Sequence, residues 1–411
     1  MKTEFIGPIR DTIPQGRVLL YGDPEANPTD FKGIQTSAEG IDYVGNEWRI
    51  PQTAQRNQST GFRSENETLP APNANKYTYQ TDVMRFAYGL MNITGQLMKA
   101  AESGQGSFKP ALQSEMDGLT TNLKVELNRA AWGDGSGFLC GTATGASGQN
   151  QVVLDTTVNF RGLGEIVDFV STAGVVLAGV GPFTVTAVNR STKTITVSPN
   201  LGTTLAGQLP VRASSDSTAA VPNNSFAKEI NGLRNIVGST NVLHGLNPTT
   251  YSFWASYVQT GVGAINDTVL RVAKDTVGFN AGADINSGLD YALITTRGVR
   301  RAYADTLTNL RRFDATNTVK LNGGFEVLTF DGNPIFVDDQ CPTGELYGLA
   351  LNKMFWAQGD DWQWMDEDGK TLKWEPRRDR YIGILYKYCQ FGTTQRNLHL
   401  RLTGLTDTSG L

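Results

Sequence analysis

The sequence has little of what most enzymes and metal sites need. Its 411 residues include two histidines, His244 and His399, and three widely spaced cysteines, Cys140, Cys341 and Cys389. Two histidines leave little room for imidazole-based acid–base or metal chemistry. The cysteines form no CxxC pair and are odd in number, so the sequence supports neither a zinc site nor a disulfide framework. We predict that all three are buried or half-buried thiols.

Long hydrophobic runs and a large charge imbalance are also missing. Residues 1–5 lack the apolar segment of a secretory signal. The longest uncharged stretch, 235–266, and the more apolar stretch 169–189 are interrupted by polar residues and proline, unlike membrane spans. The 36 basic and 40 acidic side chains give a net charge of −4. This balance argues against a dedicated DNA-binding protein, which usually presents a basic face.

Several catalytic and ion-binding motifs are incomplete. The glycine-rich segment 141–148 has no lysine for a phosphate loop, and no GxSxG nucleophile turn occurs. Asp366 and Asp368 resemble the start of a calcium loop, but Arg377 stands where the bidentate glutamate belongs. A Ser–His–Asp arrangement stays open, although an alternating strand at His399 and a turn at His244 are more typical of structural histidines. We therefore predict a structural protein with no enzymatic activity, cofactor or metal.

The first two segments along the chain are predicted to extend from the body. Residues 1–46 contain four prolines and no periodicity, which indicates an extended arm. Residues 47–93 have the pattern of a long β-hairpin, with a breaker-rich tip at 65–73 and an alternating return limb at 76–81. An isolated two-stranded ribbon is marginal in water. We therefore expect the hairpin to lie over a neighbouring subunit rather than to be a mobile loop.

The segment 94–138 contains the clearest helix of the sequence. Apolar side chains recur at steps of three or four residues, which predicts a helix over 108–132 that ends at Gly133. The members of this stripe are Leu112, Met116, Leu119, Leu123, Leu127 and Ala130.

The remaining chain divides into two predicted units. Residues 139–222 hold eight charged side chains in 84 residues and four short β-branched runs, which predicts a small inserted β-barrel or sandwich. Residues 223–411 alternate helical and strand patterns, which predicts an α+β unit with antiparallel pairing. Its predicted elements include helices near 226–237, 267–276 and 299–307, and hairpins at 325–337 and 362–374.

Two sets of side chains are candidate binding residues. Trp362, Trp364 and Trp374 could stack on a sugar or base, but cross-strand pairing within one hairpin is the simpler interpretation. Charged side chains on the hairpin and in a later basic cluster are our candidates for ion pairs between subunits. These candidate contacts are Arg49, Arg56, Arg63, Glu65, Glu67, Arg377, Arg378 and Arg380.

The order of these parts resembles the major capsid proteins of tailed bacteriophages, which have the HK97-like fold. Local similarity is carried by 92–98 (NITGQLM), 127–137 (LNRAAWGDGSG), 330–334 (FDGNP) and 395–399 (QRNLH). The resemblance implies an α+β fold with an N-terminal arm, an E-loop hairpin, a long spine helix, and peripheral and axial domains. Segment 139–222 would then be an inserted β-domain.

The resemblance also implies a function and partners. The chain would self-assemble through hexamers and pentamers into an icosahedral shell that encloses double-stranded DNA. It would work with a portal and a separate scaffolding protein, with a decoration protein as a further candidate partner. DNA would be contacted only non-specifically and no membrane would be bound; the chain would pass from the host cytoplasm into the virion. Alternatives are another virion part, such as a tail or decoration protein, or a carbohydrate-binding protein that uses Trp364.

Overall fold

The computed structural model describes most of the chain beyond its N-terminal region. Described residues are 42–44, 47–55, 57, 59–96, 108–160, 162–177, 181–217, 222–282, 285, 290–309, 318–321, 325–366, 371–376 and 378–408. The predicted arm therefore lies outside the described residues, except for part of its last few positions. All three cysteines are buried, as predicted.

The first sheet consists of three strands, β1 (Asp42–Val44), β2 (Glu47–Gln55) and β3 (Lys76–Val83). Strands β2 and β3 pair antiparallel, with Glu47 opposite Val83 and Gln55 opposite Lys76. The next strand, β4 (Arg85–Thr94), does not extend this hairpin. It pairs along its whole length with a later strand, 380–393, so the two-stranded ribbon ends at Val83.

Helix α1 (Phe108–Trp132) has the bounds that the apolar spacing predicts. Its last turns, from Leu127 to Trp132, are buried, whereas residues 114–126 are mostly half-buried. The helix lies against β4 at a glycine. A Cβ on Gly89 would come within 2.4 Å of Leu123 Cδ1, so a larger residue there would have to displace leucine side chains of the helix.

A second sheet forms a separate β-module within residues 139–222. Its six strands are β5 (Ala143–Thr144), β6 (Gln151–Leu154), β7 (Ile166–Val170), β8 (Phe183–Asn189), β9 (Thr194–Ser198) and β10 (Leu209–Arg212). They are antiparallel, in the order β10-β7-β8-β9-β6-β5. The module has its own buried cluster, which includes Phe160, Phe169, Phe183 and Leu201.

The rest of the chain forms two further sheets with short and medium helices. The elements are α2 (Leu233–Ile236), β11 (Tyr257–Gln259), α3 (Asp267–Ala281), β12 (Tyr291–Thr295), α4 (Arg297–Asn309), β13 (Thr318–Leu321), β14 (Phe325–Phe330), β15 (Asn333–Val337), β16 (Leu346–Ala350), β17 (Met354–Trp364), β18 (Leu372–Trp374), β19 (Arg380–Thr393) and β20 (Leu400–Leu402). One sheet has the order β11-β20-β16-β12-β15-β14-β13; the other joins β17, β19 and β18, with β4 on β19. One buried apolar cluster includes residues of α1 and α2, and a second includes residues of α3 and α4.

Besides the hairpin, which ends at Val83 rather than at residue 93, three details differ from the sequence-based predictions. The seven-stranded sheet is mixed rather than antiparallel, because β12 pairs with β15 and β11 pairs with β20 in parallel. The helix predicted at 226–237 is reduced to the single turn α2. Ala227 has a left-handed φ of 55°, so a right-handed helix does not run through the start of this segment.

The third difference concerns the tryptophans of 362–374. Strands β17 and β18 do not pair with each other, because β19 lies between them. Trp364 is opposite Leu385 and Trp374 is opposite Tyr381. The predicted tryptophan hairpin is therefore wrong. The tight turn in this region joins β18 to β19 instead.

Candidate interaction surface

A concentration of exposed apolar side chains follows the hairpin into β4. Of the 15 large hydrophobic residues that are exposed in the described chain, eight lie between residues 62 and 90. We call these eight the apolar stripe: Phe62, Leu69, Tyr77, Tyr79, Val83, Phe86, Tyr88 and Leu90. Concentrated exposed apolar side chains mark interaction sites, so the segment 62–90 is a candidate contact surface.

Strand alternation explains why these side chains face outward. Along β3, Tyr77, Tyr79 and Val83 are exposed, while Gln80 is buried. Met84, between the two strands, is also buried, so the exposed apolar positions change from odd-numbered to even-numbered residues. Along β4 the even-numbered residues are therefore exposed, and Met91 and Ile93 face inward.

The β4 part of the stripe continues onto the neighbouring strand as an aromatic cluster. The Phe86 ring lies edge-on to Tyr388, with centroids 5.0 Å apart, and the Tyr386 and Tyr388 rings are 4.9 Å apart. Tyr88 joins them, and a hydrogen bond with Tyr388 raises the pKa of its phenol. Such rings combine a large contact area with polar edges, as protein interfaces require.

The hairpin is attached to the body through a small inward face at its base. We call this face the hairpin foot: Trp48, Ile50, Gln80, Asp82 and Met84. Its apolar members pack on Phe355 and Ala357 of β17, and the Trp48 ring lies 5.3 Å from that of Phe355. Beyond the foot, the described residues from 60 to 69 are all exposed. The outer hairpin therefore has no core of its own.

A buried polar contact completes the foot. One carboxylate oxygen of Asp82, Oδ2, lies 2.8 Å from Nδ1 of His244 and accepts hydrogen bonds from Asn231 Nδ2 (2.5 Å) and Gln390 Nε2 (3.3 Å). Burial acts to raise the pKa of Asp82, but the hydrogen bond and charge of His244 lower it below its usual value. An ionised carboxylate thus adds a polar anchor to the apolar packing of the foot.

The charged hairpin residues predicted as contacts have neighbours within the hairpin itself. Arg49 lies 3.6 Å from Glu47, Arg63 donates to its neighbour's carbonyl oxygen at 3.0 Å, and Glu67 accepts from the Ser64 N–H at 2.8 Å. Glu65 is exposed, and Arg56 lies outside the described residues. These groups are accessible, but they do not form one cluster.

The basic cluster lies far from the hairpin. Arg380 pairs with Glu375 in the β18–β19 turn, and Arg378 lies 3.8 Å from the same carboxylate; Arg377 lies outside the described residues. Arg380 is opposite Thr94 and so marks the end of β4 away from the foot. Ten strand residues span roughly 30 Å, so about this length of strand separates Arg380 from the hairpin foot.

Sequence reasoning missed the apolar stripe and the Asp82 contact. The alternation at 76–81 predicts a strand but does not say which face is covered, and a second alternation at 86–90 is the further signal in the sequence. The Asp82–His244 contact joins residues that are 162 positions apart. No local pattern could have indicated it.

The described residues offer little for other chemistry. They contain no group of three or more histidine, cysteine or acidic side chains that could hold a metal ion. Within the described part of the chain, no helix is both long and apolar enough to span a membrane.

Comparisons with known proteins identify the fold. No protein-family model matches the sequence, and no curated protein is significantly similar to it. Among solved structures, the capsid asymmetric unit of cyanophage A-1(L) matches 88% of this chain and 88% of its own chain, with a TM-score of 0.53 and 12% identity. The capsid of Myoviridae phage XM1 matches 90% of both chains (TM-score 0.44, 10% identity). An encapsulin complex from Synechococcus elongatus matches 98% of this chain and 96% of its own (TM-score 0.43, 10% identity).

The cyanophage match establishes the fold as that of a phage capsid subunit. The α+β resemblance predicted from the sequence is thereby confirmed for the fold.

Proposed function

We propose that this chain is the major capsid protein of a tailed double-stranded DNA phage and that it self-assembles into an icosahedral shell around the genome. The observation that carries the proposal is the fold match to a phage capsid subunit over 88% of both chains. The apolar stripe supports it independently, because a shell subunit must expose surface that its neighbours cover.

The parts of the chain take roles that fit this function. The β2–β3 hairpin would be the E-loop, and α1 would be the spine helix. The peripheral domain would combine α1 with the sheet of β4, β17, β18 and β19, and the axial domain would contain the seven-stranded sheet. Segment 1–46 would be the arm, and the β-module of 139–222 the inserted domain.

The stripe gives this assembly its driving force. Burying one large apolar side chain contributes about 1.5–3 kcal/mol. Full burial of several members would therefore contribute on the order of 10 kcal/mol before the cost of association. A modest net contact is enough, because each subunit makes several and a closed shell multiplies them.

The separation of the two charged sets suits contacts between copies. A head-to-tail contact joins one patch of a subunit to a different patch on the next copy, and a repeated contact of this kind can close into a ring. The hairpin foot and Arg380 lie at opposite ends of β4, so we assign the hairpin set (Arg49, Arg56, Arg63, Glu65, Glu67) and the basic set (Arg377, Arg378, Arg380) to different neighbours. Exposed ion pairs are worth at most about 1 kcal/mol each. We assign them to orientation and the stripe to affinity.

The proposed partners follow from the same role. Copies of the chain would form hexamers and pentamers, and would assemble with a portal and a separate scaffolding protein. A decoration protein is a further candidate, and contact with packaged DNA would be non-specific. The chain would pass from the host cytoplasm into the virion, and would act without catalysis.

Electron microscopy of the purified chain under assembly-promoting conditions tests the proposal. We expect closed shells from the natural sequence and a folded monomer, verified by circular dichroism and light scattering, when residues 50–75 are deleted. Tyr77→Ser with Tyr79→Ser should also prevent closure, while Tyr77→Phe with Tyr79→Phe should preserve it, because the phenyl rings keep the buried area. Normal shells from the deletion would refute the role of the hairpin. Tubes or small rings from the natural sequence would instead indicate a tail or decoration protein.

A further inference from the structure

Arg396 is a buried cation that has no carboxylate among its described hydrogen-bond partners. Its side chain is fully buried. Its guanidinium donates to the carbonyl oxygens of Ile236 (2.7 Å), Asn235 (3.0 Å), Asn241 (2.9 Å) and Trp254 (3.1 Å), and to the side-chain oxygen of Asn241 (2.6 Å). Burial lowers the pKa of Arg396 to about 10, so the side chain is still charged at neutral pH. A buried charge of this kind needs compensation from somewhere.

Three asparagine side chains connect this cation to the hairpin foot. Asn241 accepts from Arg396 and donates through Nδ2 to Oδ1 of Asn235. Asn235 donates to Oδ1 of Asn231 at 2.7 Å, and Asn231 donates to Oδ2 of Asp82 at 2.5 Å. We call these three side chains the asparagine relay. It runs without a break from a guanidinium to a carboxylate.

The amides of the relay all point the same way. Each accepts on the side of Arg396 and donates on the side of Asp82, so the N–H end of every amide dipole faces the carboxylate. Aligned hydrogen bonds polarise one another, and this effect is strong where the surrounding dielectric constant is low. The relay therefore presents its acceptor end to the guanidinium and its donor end to the carboxylate.

Other groups also face Asp82. His244 and Gln390 bind it from two further directions, and the charge of Arg85 lowers its pKa. These groups hold the carboxylate locally, whereas the relay links it to the body near Arg396. The relay is thus a second connection between the foot and the loop after α2, beside the direct contact of Asp82 with His244.

We propose that the asparagine relay is a conformational lock that fixes the direction of the hairpin and couples it to the loops held by Arg396. Moving the hairpin would withdraw Asp82 and leave the relay without its terminal acceptor. Conversely, disturbing the loop of 235–241 would loosen the foot. The lock belongs to the single chain, so it can fail or hold whether or not the chain forms shells.

Hydrogen exchange on unassembled subunits tests this coupling. The reporter is the Thr81 N–H at the foot, which donates to the His244 carbonyl at 2.9 Å. Asn241→Asp should speed its exchange about tenfold, the size of one lost hydrogen bond. This variant gives Arg396 a direct carboxylate partner but removes the donor to Asn235. The Arg396 end should therefore remain folded while the foot loosens.

A double-mutant cycle separates coupling from local damage. Asp82→Asn alone should speed Thr81 exchange to a similar degree, and adding Asn241→Asp should produce little further change, because the relay is already interrupted. The matched control is Asn159→Leu, which removes a half-buried asparagine that donates to the Leu139 carbonyl in the β-module. It should leave Thr81 exchange unchanged. An unchanged rate in Asn241→Asp, or two effects that multiply in the double variant, would overturn the proposal.

Discussion

At the scale of single residues, His399 is held as a neutral base by its hydrogen bonds. Its ring is fully buried. Nδ1 accepts from the Ala350 N–H at 3.3 Å, so the ring proton lies on Nε2, which is 2.9 Å from the Thr393 hydroxyl oxygen. That hydroxyl in turn donates to the Lys353 carbonyl at 3.1 Å. Burial, with the charge of Arg396, lowers the pKa of His399 to about 3.

This arrangement predicts a loss of stability in mild acid. An unfolded histidine has a pKa of about 6.5. Below that pH the histidine is protonated in the unfolded state, whereas in the folded state it stays neutral down to about pH 3. The free energy of unfolding should therefore fall by up to about 1.4 kcal/mol per pH unit over this window through His399 alone. Urea unfolding at pH 7, 6, 5 and 4 measures the slope for the natural chain and for His399→Gln.

Acidic residues also contribute to that slope, so the difference between the two proteins is the informative quantity. The free energy lost by replacing His399 should shrink steadily as the pH decreases. Parallel pH profiles would contradict the assignment of a neutral buried ring.

The sequence predicts the environment of a single residue only where that environment follows from the residue's own chemistry. The burial of Cys140, Cys341 and Cys389 follows from their apolar character and was predicted. The contact between Asp82 and His244 depends on how the hairpin packs on the body, and no local sequence pattern at either residue predicts this contact. The predicted ion-pair contacts remain predictions, because the structure gives several of them neighbours within the chain and says nothing of a second copy.

At the scale of elements, patterns with a single period were informative. The three- and four-residue spacing predicted α1, and the β-branched runs at 152–154, 166–170, 183–188 and 194–197 predicted β6, β7, β8 and β9 within a residue or two. The pairing partner of each strand was harder to predict from the sequence. The runs that became β17 and β18 carry no information that a later strand, β19, lies between them, and the parallel pairs of the mixed sheet come from distant chain segments.

Two glycines show how helix position decides the effect of the same added methyl group. A Cβ on Gly118 or on Gly282 would meet nothing within 4 Å. Gly118 lies inside α1, whereas Gly282 ends α3 with a left-handed φ of 62°. Gly118→Ala should raise the free energy of unfolding by about 1 kcal/mol, because alanine favours helix interiors. Gly282→Ala should lower it by about 1–2 kcal/mol, because a Cβ disfavours the left-handed conformation.

Urea unfolding of the unassembled subunits measures both changes, and each variant is the control for the other. Effects of the same sign would show that the backbone conformations at these sites do not decide the outcome.

At the scale of the whole molecule, the β-module joins the body at one place. The chain enters at Gly137 and leaves at Ser225, and a Cβ on Gly137 would lie 2.6 Å from the Ser225 carbonyl oxygen. The Ala227 N–H donates to the Ser136 carbonyl at 2.9 Å just outside this point. One ion pair crosses the junction: Arg212, which pairs with Glu165 inside the module at 2.7 Å, also lies 3.6 Å from Glu126 of α1. A buried second guanidinium, Arg129, pairs with Glu126 and Glu229 on the body side.

This geometry predicts that the module can be removed without unfolding the body. Replacing residues 138–224 by a short glycine linker joins two points that already touch, and Glu126 and Glu229 keep Arg129 as their partner, so no buried carboxylate is left unpaired. The separate core of the module means that the body loses few apolar contacts. We expect the shortened chain to unfold cooperatively in urea and to form particles in the assembly assay. Collapse of the body's cooperative transition would show instead that the module is part of one folding unit, and that its core and the charged junction stabilise the whole subunit together.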